Sequence, residues 1–210
     1  MTDHNPFEKP IENTPVSTGA NVGVPSAPES LPTGVMVVSI IALLLGVFGL
    51  LGTCIGGASL LASESLMGFL PEEAQEATKN AMEIQFVPGM VQLVTGLLLS
   101  VMLVVAAIGC LTRKPSGAGL MRISMIGCVL NSLLGIGLVI WMTLFHADTL
   151  AAVNSAQGMS EEQGMQMFYA TQIFTIVFVA ALMCFYAFGA YYFGKQNVTD
   201  FFDRQSQLGR

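Results

Sequence analysis

Charged residues are scarce in this chain. Only 10% of its 210 residues are Asp, Glu, Lys or Arg, whereas a soluble domain carries about 25%. A surface this poor in charge cannot stay in water, so most of the chain must face lipid or other apolar segments. The formal net charge of −6 also argues against a nucleic-acid partner, because binding to phosphates requires Lys and Arg.

Ionisable residues and catalytic motifs are absent where membrane pumps and enzymes need them. The long apolar runs hold no Asp, Glu, Lys or Arg away from their ends, although pumps commonly use such residues as relays. The chain has no HExxH, GxSxG or CxxC motif and no glycine loop for phosphate. We therefore predict a protein that is not an enzyme, with no catalytic residue, cofactor or metal. His146 and Asp148, two residues apart, are only weak evidence for a metal site.

Cysteines are absent from the segments that link the apolar runs. All four lie inside those runs, where no disulfide can join two loops, so they are interpreted as small buried apolar residues. They are Cys54, Cys110, Cys128 and Cys184. The tetraspanin and claudin families, which place paired cysteines in their outer loops, are excluded on this ground.

Long hydrophobic segments are what the chain has in abundance. Each of the four exceeds the roughly 20 residues that cross a hydrocarbon core, and the need to satisfy backbone groups in lipid makes each a helix. We predict an all-α membrane protein with four transmembrane helices in an antiparallel bundle. The spans are placed at about 35–62, 88–111, 120–145 and 167–193.

The regions outside this transmembrane domain (34–194) are polar. Residues 1–33 hold six of the nine prolines and show no apolar periodicity, so we predict a disordered cytoplasmic tail. Residues 195–210 are predicted to be a cytoplasmic C-terminal tail.

The basic residues indicate the orientation of the spans. If the N-terminus is cytoplasmic, seven of the eight Lys and Arg residues lie inside and only Lys79 lies outside, as the positive-inside rule requires. The two outer loops are then acidic. We predict that both termini are cytoplasmic in a multi-pass protein of a cell membrane, most simply the bacterial inner membrane.

Two helix signals lie in the outer loops. Residues 71–85 carry acids in the first turn and an apolar line at helical spacing, which predicts a short amphipathic helix. The segment SEEQ, which begins at Ser160, matches the capping-box pattern and predicts that the fourth helix starts before it enters lipid.

Glycines recur at helical spacing within the spans. In lipid, small residues let helix backbones approach closely. Gly46, Gly49, Thr53 and Gly56 fall on one predicted face of the first span, and Gly52 with Gly56 forms a GxxxG pair. The predicted packing residues are Gly46, Gly49, Gly52, Gly56, Gly96, Gly127 and Gly135. They predict a tight bundle, or a homo-oligomer or contact with other membrane subunits through the first span.

Polar side chains inside the spans permit a second interpretation. Asn131 lies nearest the predicted bilayer centre, where it serves either as an interhelical hydrogen-bonding group or as part of a solute path. An outward-facing polar cavity would be lined by Gln92, Asn131, Thr171, Gln172 and Thr175.

The motif NPFEKP, residues 5–10, precedes the glycine-rich first span. With the proline-rich tail and four spans, it resembles small four-helix inner-membrane proteins of bacteria to which no activity is assigned. NPF also resembles a tripeptide in secretory carrier membrane proteins, but the aromatic, basic loop of that family is absent here. The first resemblance implies an inner-membrane location and no particular activity.

Three functions remain open at this point. The first is an accessory or scaffold subunit that packs through its glycine-rich helix faces. The second is a small channel or transporter with an outward-facing polar cavity. The third is a sensor or binding protein that uses its acidic outer loops.

Overall fold

All regular secondary structure that the structure describes is α-helical. The computed structural model describes residues 30–67, 72–155 and 159–208. Most of the predicted N-terminal tail, including NPFEKP, lies outside the described residues. The described ranges contain six helices: α1 (Thr33–Met67), α2 (Glu72–Leu111), α3 (Ser116–Phe145), α4 (Ala147–Ser155), α5 (Glu161–Phe193) and α6 (Gln196–Leu208).

Four of these helices are long and apolar enough to cross a membrane. Their apolar stretches run over Thr33–Ser59, Thr78–Leu111, Ser116–Phe145 and Glu161–Phe193, with mean hydropathies of 2.2 to 2.7. The prediction of an all-helical chain with four long apolar helices is confirmed, and it indicates a multi-pass membrane protein. Three of the predicted C-terminal span ends, at residues 111, 145 and 193, coincide with helix ends.

The segment predicted as a separate amphipathic helix, residues 71–85, is part of a longer helix. From Glu72 onward it forms the first turns of α2, which continues through Pro88 to Leu111. Proline removes one backbone donor, but neighbouring groups often compensate in membrane helices. The first turns of α2 also pack against α4, which supports the helix ahead of Pro88.

The capping box before α5 is confirmed. The Gln163 backbone N–H donates to the Ser160 hydroxyl and the Ser160 backbone N–H donates to the Gln163 side chain, both at 3.3 Å. These bonds satisfy donors that the first helical turn leaves free. The helix consequently starts at Glu161, six residues before the predicted span.

The C-terminal tail, predicted as residues 195–210, contains a helix that the prediction missed. Val198, Phe201 and Phe202 stand at i, i+3 and i+4 along α6 and are all buried. This spacing is typical of an amphipathic helix. The segment is polar overall and contains no long apolar run, so it does not resemble a membrane span.

The long helices pack in sequence order. α1 packs against α2, α2 against α3 and α3 against α5, while the short α4 packs against α5 and α2. Among the described helices, α2 is the one against which α1 packs extensively. α2 and α5 lie on either side of α3 and are not closely packed against each other.

Two clusters of buried apolar residues lie at different places in the bundle. The Phe202 cluster joins the start of α1, the end of α2, the start of α3, the end of α5 and α6. Its buried members are Val35, Val38, Ala42, Leu103, Ala106, Ala107, Cys110, Ala118, Met121, Met125, Phe193, Val198, Phe201 and Phe202. The smaller Phe168 cluster joins α2, α4 and α5 through Ala81, Leu150, Ala151 and Phe168.

The turn between α2 and α3 is tight. Lys114 N–H donates to the Gly109 carbonyl at 2.9 Å, and Arg113 has a φ of 58°. Arg113 thus takes the left-handed conformation that usually closes a helix C-terminus with glycine. A methyl group on Gly117 would lie 2.7 Å from the Cys110 nitrogen, so only glycine fits where α3 begins beside α2.

Candidate functional site

One side of α1 is in close contact with α2. A methyl group on Gly46 would lie 2.7 Å from Val104 Cγ2 and 3.2 Å from the Ser100 carbonyl oxygen. A methyl group on Gly49 would meet the Ser100 hydroxyl. These two predicted packing positions therefore lie where the backbones of the two helices approach closely.

The line of α1 residues that contact α2, called here the contact stripe, begins with Gly46 and Gly49 and continues through Thr53 and Gly57. A methyl group on Gly57 would lie 3.3 Å from Leu93 Cδ1, and one on Gly96 would lie 3.5 Å from Thr53 Cγ2. Gly57, which the sequence analysis did not select, occupies the place expected for Gly56. The spacing Gly46, Gly49, Thr53, Gly57 keeps one helical face as well as the spacing through Gly56 does, so the pattern alone does not choose between the two glycines.

Gly52 and Gly56 lie beside this stripe and not on it. No heavy atom of the described chain lies within 4 Å of a methyl group placed on either residue. The large apolar side chains around the pair are exposed, with Phe48 at 67% and Ile55 at 70%. The GxxxG pair is thus open on the surface of α1.

Two predicted glycines of α3 receive side chains from α2. Methyl groups at these positions would lie 2.6 Å from Leu99 Cδ2 at Gly127 and 2.6 Å from Gln92 Nε2 at Gly135. Gly135 therefore makes room for the Gln92 amide at the α2–α3 contact.

The five residues of the predicted polar cavity are divided by the structure. Gln92 and Asn131 line a cavity of about 190 Å³ between α2, α3 and α5. Thr171 and Gln172 line a separate cavity of about 360 Å³ between α2, α4 and α5. Thr175 lines neither of the two, and its hydroxyl donates to the Thr171 carbonyl at 2.8 Å. The sequence did not predict the gap between α2 and α5, because the residues of one span do not show how far it lies from another.

The smaller cavity is named here the seam cavity. It lies among side chains that carry amide, hydroxyl and thiol groups, several of which the sequence analysis did not select. Its lining residues are Gln92, Gly96, Leu99, Ser100, Cys128, Asn131, Ser132, Val179, Leu182 and Tyr186.

Asn131 takes part in a hydrogen bond between helices. The Thr95 hydroxyl lies 2.9 Å from Asn131 Oδ1 and 2.8 Å from the Val91 carbonyl oxygen. Because a hydroxyl has one proton, it donates to one of these acceptors at a time. This bond joins α2 to α3 as the packing interpretation of Asn131 predicts, and the rest of the Asn131 side chain faces the seam cavity.

Metal-binding groups do not gather in the described residues. Within them no three His, Cys, Asp or Glu side chains are close enough to hold a metal ion. His146 instead meets the Trp141 ring edge to face at 4.8 Å. Asp148 and Glu161 line a third cavity, of about 290 Å³, between α4 and α5.

Comparison with known proteins adds no relative. No family model, no curated protein and no solved structure matches this chain.

Proposed function

We propose that this multi-pass membrane protein is an accessory or scaffold subunit that is not an enzyme. It assembles with a second copy or with other membrane subunits through the open face of α1. The observation that carries the proposal is that a methyl group on Gly52 or Gly56 would meet no described atom within 4 Å beyond its own stretch of helix backbone, although the neighbouring Gly46 and Gly49 are closely packed.

The physics of helix association in lipid supports this assignment. Lipid tails are as apolar as leucine, so helices associate through close packing of small residues and through interhelical hydrogen bonds. Gly52 and Gly56 are four residues apart and form a shallow groove about 6 Å long on one face. Phe48, Leu51 and Ile55 project beside it with more than half of their surfaces exposed, and they would fill space beside a second helix.

The proposed orientation is an antiparallel bundle with both termini in the cytoplasm of a bacterium. The α2–α3 and α5–α6 turns carry Arg113, Lys114 and Lys195, and the positive-inside rule assigns such turns to the cytoplasmic side. The acidic residues at the starts of α2 and α5 then face outward.

The test is native mass spectrometry of the full chain after gentle extraction from its own membrane. We expect a defined oligomer or a complex with other subunits, and we expect the variant Gly52→Leu/Gly56→Leu to be monomeric. The matched control is Gly137→Leu in α3, because Gly137 also has no described neighbour within 4 Å. A monomeric wild-type protein, or a double variant that assembles normally, would contradict the proposal.

A further inference from the structure

The two cavities that replace the predicted single one are arranged along one line. On α2, Thr78 and Gln85 line the larger cavity, and Gln92 lines the seam cavity. On α5, Gln172 lines the larger cavity, and Val179 and Tyr186 line the seam cavity. Along each helix these positions repeat every seven residues, which is about 10.5 Å or two turns. One face of α2 and one face of α5 therefore border both cavities.

The space between these faces exists because other helices hold α2 and α5 apart. α3 packs against both and supplies Cys128, Asn131 and Ser132 to the seam cavity. The Phe202 cluster includes the buried Leu103 and Met125. It lies next to the seam cavity, toward the end of α2 and the start of α3, and fills the bundle there. The seam cavity is consequently closed on the side of the Phe202 cluster, which suits binding better than passage.

The polar groups of the seam cavity are not satisfied by one another. The Thr95 bond to Asn131 is the one hydrogen bond in the described chain that involves a lining side chain. In the described chain, the Gln92 amide and the Ser132 and Tyr186 hydroxyls form no hydrogen bond. Among the described residues, the buried side-chain atom that has no hydrogen-bond partner is Ser39 Oγ, which does not line the cavity. The polar groups that line the cavity are therefore accessible from it. A polar group left unpaired away from water costs about 1–3 kcal/mol, so a polar occupant would stabilise these accessible groups better than an apolar one.

The lining specifies what kind of molecule fits. Among the described residues that line the two cavities there is no Asp, Glu, Lys or Arg, so an ion would lose its hydration without gaining a counter-charge from them. Amides and hydroxyls both donate and accept hydrogen bonds. A volume of about 190 Å³ equals the share of about six water molecules in the liquid, which limits the occupant to a few heavy atoms.

We propose that the seam cavity binds a small uncharged molecule that carries both hydrogen-bond donors and acceptors, such as a short polyol or a primary amide. Gln92, Asn131 and Ser132 form the polar contacts, and the larger cavity beside α4 is the approach. This site is separate from the assembly face on α1.

The test uses glycerol and acetamide as probes of the full-length protein in lipid nanodiscs. Saturation-transfer NMR is expected to detect both probes above the signal from empty nanodiscs. Two substitutions, Asn131→Leu and Ser132→Val, fill the cavity with apolar atoms, and each is expected to lower probe affinity about tenfold, as loss of about 1.4 kcal/mol would. The control Thr175→Val removes a hydroxyl outside both cavities and is expected to keep the signal.

A second readout does not depend on these variants. Both Cys128 and Cys110 are buried, but Cys128 lines the cavity and is 8% exposed, whereas Cys110 lies in the Phe202 cluster and is 0% exposed. A variant that retains only Cys128 is expected to react with methyl methanethiosulfonate, and glycerol is expected to slow that reaction. A matched variant that retains only Cys110 is expected to react at a rate that glycerol does not change.

Each outcome decides the proposal. Probe binding about tenfold weaker in both filling variants, together with glycerol protection confined to Cys128, supports it. The proposal is wrong if neither probe binds above empty nanodiscs, if both filling variants bind as the wild type does, or if glycerol leaves the Cys128 rate unchanged. Binding that persists in Gly52→Leu/Gly56→Leu separates this site from the assembly function, so either proposal can fail alone.

Discussion

The region around Phe202 and the region around Phe168 are built on different packing principles. The Phe202 cluster brings together side chains from five helices, and two of its three buried phenylalanines, Phe193 and Phe202, are each 1% exposed. The Phe168 cluster has four buried members and borders the larger cavity, which Phe168 itself lines. One part of the molecule is filled by side chains, and the other leaves room for polar occupants.

The glycines also differ in how closely they are packed. Close to the Phe202 cluster, methyl groups would strike backbone at Gly117 and the Met125 side chain at Gly189. Away from it, Gly52, Gly89 and Gly137 have no described neighbour within 4 Å. Residue type alone therefore does not identify a packing glycine. The separation of the helices at that level decides whether its small size matters.

The largest expected effect comes from replacing Phe202 and Phe168, after which the two clusters are named, by alanine. Phe202→Ala should lower the free energy of unfolding by about 3–5 kcal/mol, the usual cost of removing a fully buried phenylalanine. Phe168→Ala should cost clearly less, because its ring already borders a cavity and loses fewer contacts. SDS titration of the folded protein in mixed micelles measures both values. Equal losses would break the comparison.

A smaller effect is expected from the same substitution at two glycines of α3. Gly117→Ala places a methyl group 2.7 Å from backbone atoms of α2 and should cost about 2–3 kcal/mol through overpacking. Gly137→Ala meets no described atom within 4 Å and should be neutral or slightly stabilising, since alanine favours the helix. The midpoints of the same SDS titration compare the pair. A tolerated Gly117→Ala would show that the turn can open.

The smallest expected effect concerns the backbone at the α2–α3 turn. Arg113 holds a φ of 58°, and Arg113→Gly should stabilise the protein by about 1 kcal/mol by removing the clash of Cβ in that conformation. Arg113→Ala is the control, because it removes the same charge and keeps Cβ. Thermal unfolding in detergent should separate the two variants, and identical midpoints would argue against strain at this position.

The features that were predictable share one property: each rests on a local pattern. The four long apolar helices follow from runs longer than 20 residues, and the start of α5 follows from Ser160 and Gln163 three residues apart. The helix α6 was equally local, since Val198, Phe201 and Phe202 carry its spacing. It was missed because the segment lacks the length and hydropathy of a span.

The candidate site could be predicted only in part. Gln92 and Asn131 do line one cavity, but Thr171 and Gln172 line another and Thr175 lines neither. Whether Gly56 or Gly57 contacts α2 also depends on how α1 is rotated about its own axis, because successive residues are about 100° apart. Such assignments require the relative positions of helices far apart in the sequence.

The sequence by itself determined that this chain forms long helices suited to a membrane, because lipid forces each backbone to satisfy its own hydrogen bonds within a segment. It also determined where helix α5 begins, because a capping box acts over four residues. Only the tertiary structure decided which glycines are packed and which are open, and that α3 and α4 hold α2 and α5 apart. Those outcomes depend on contacts between different helices, and packing in lipid is specified by shape, which no single helix contains.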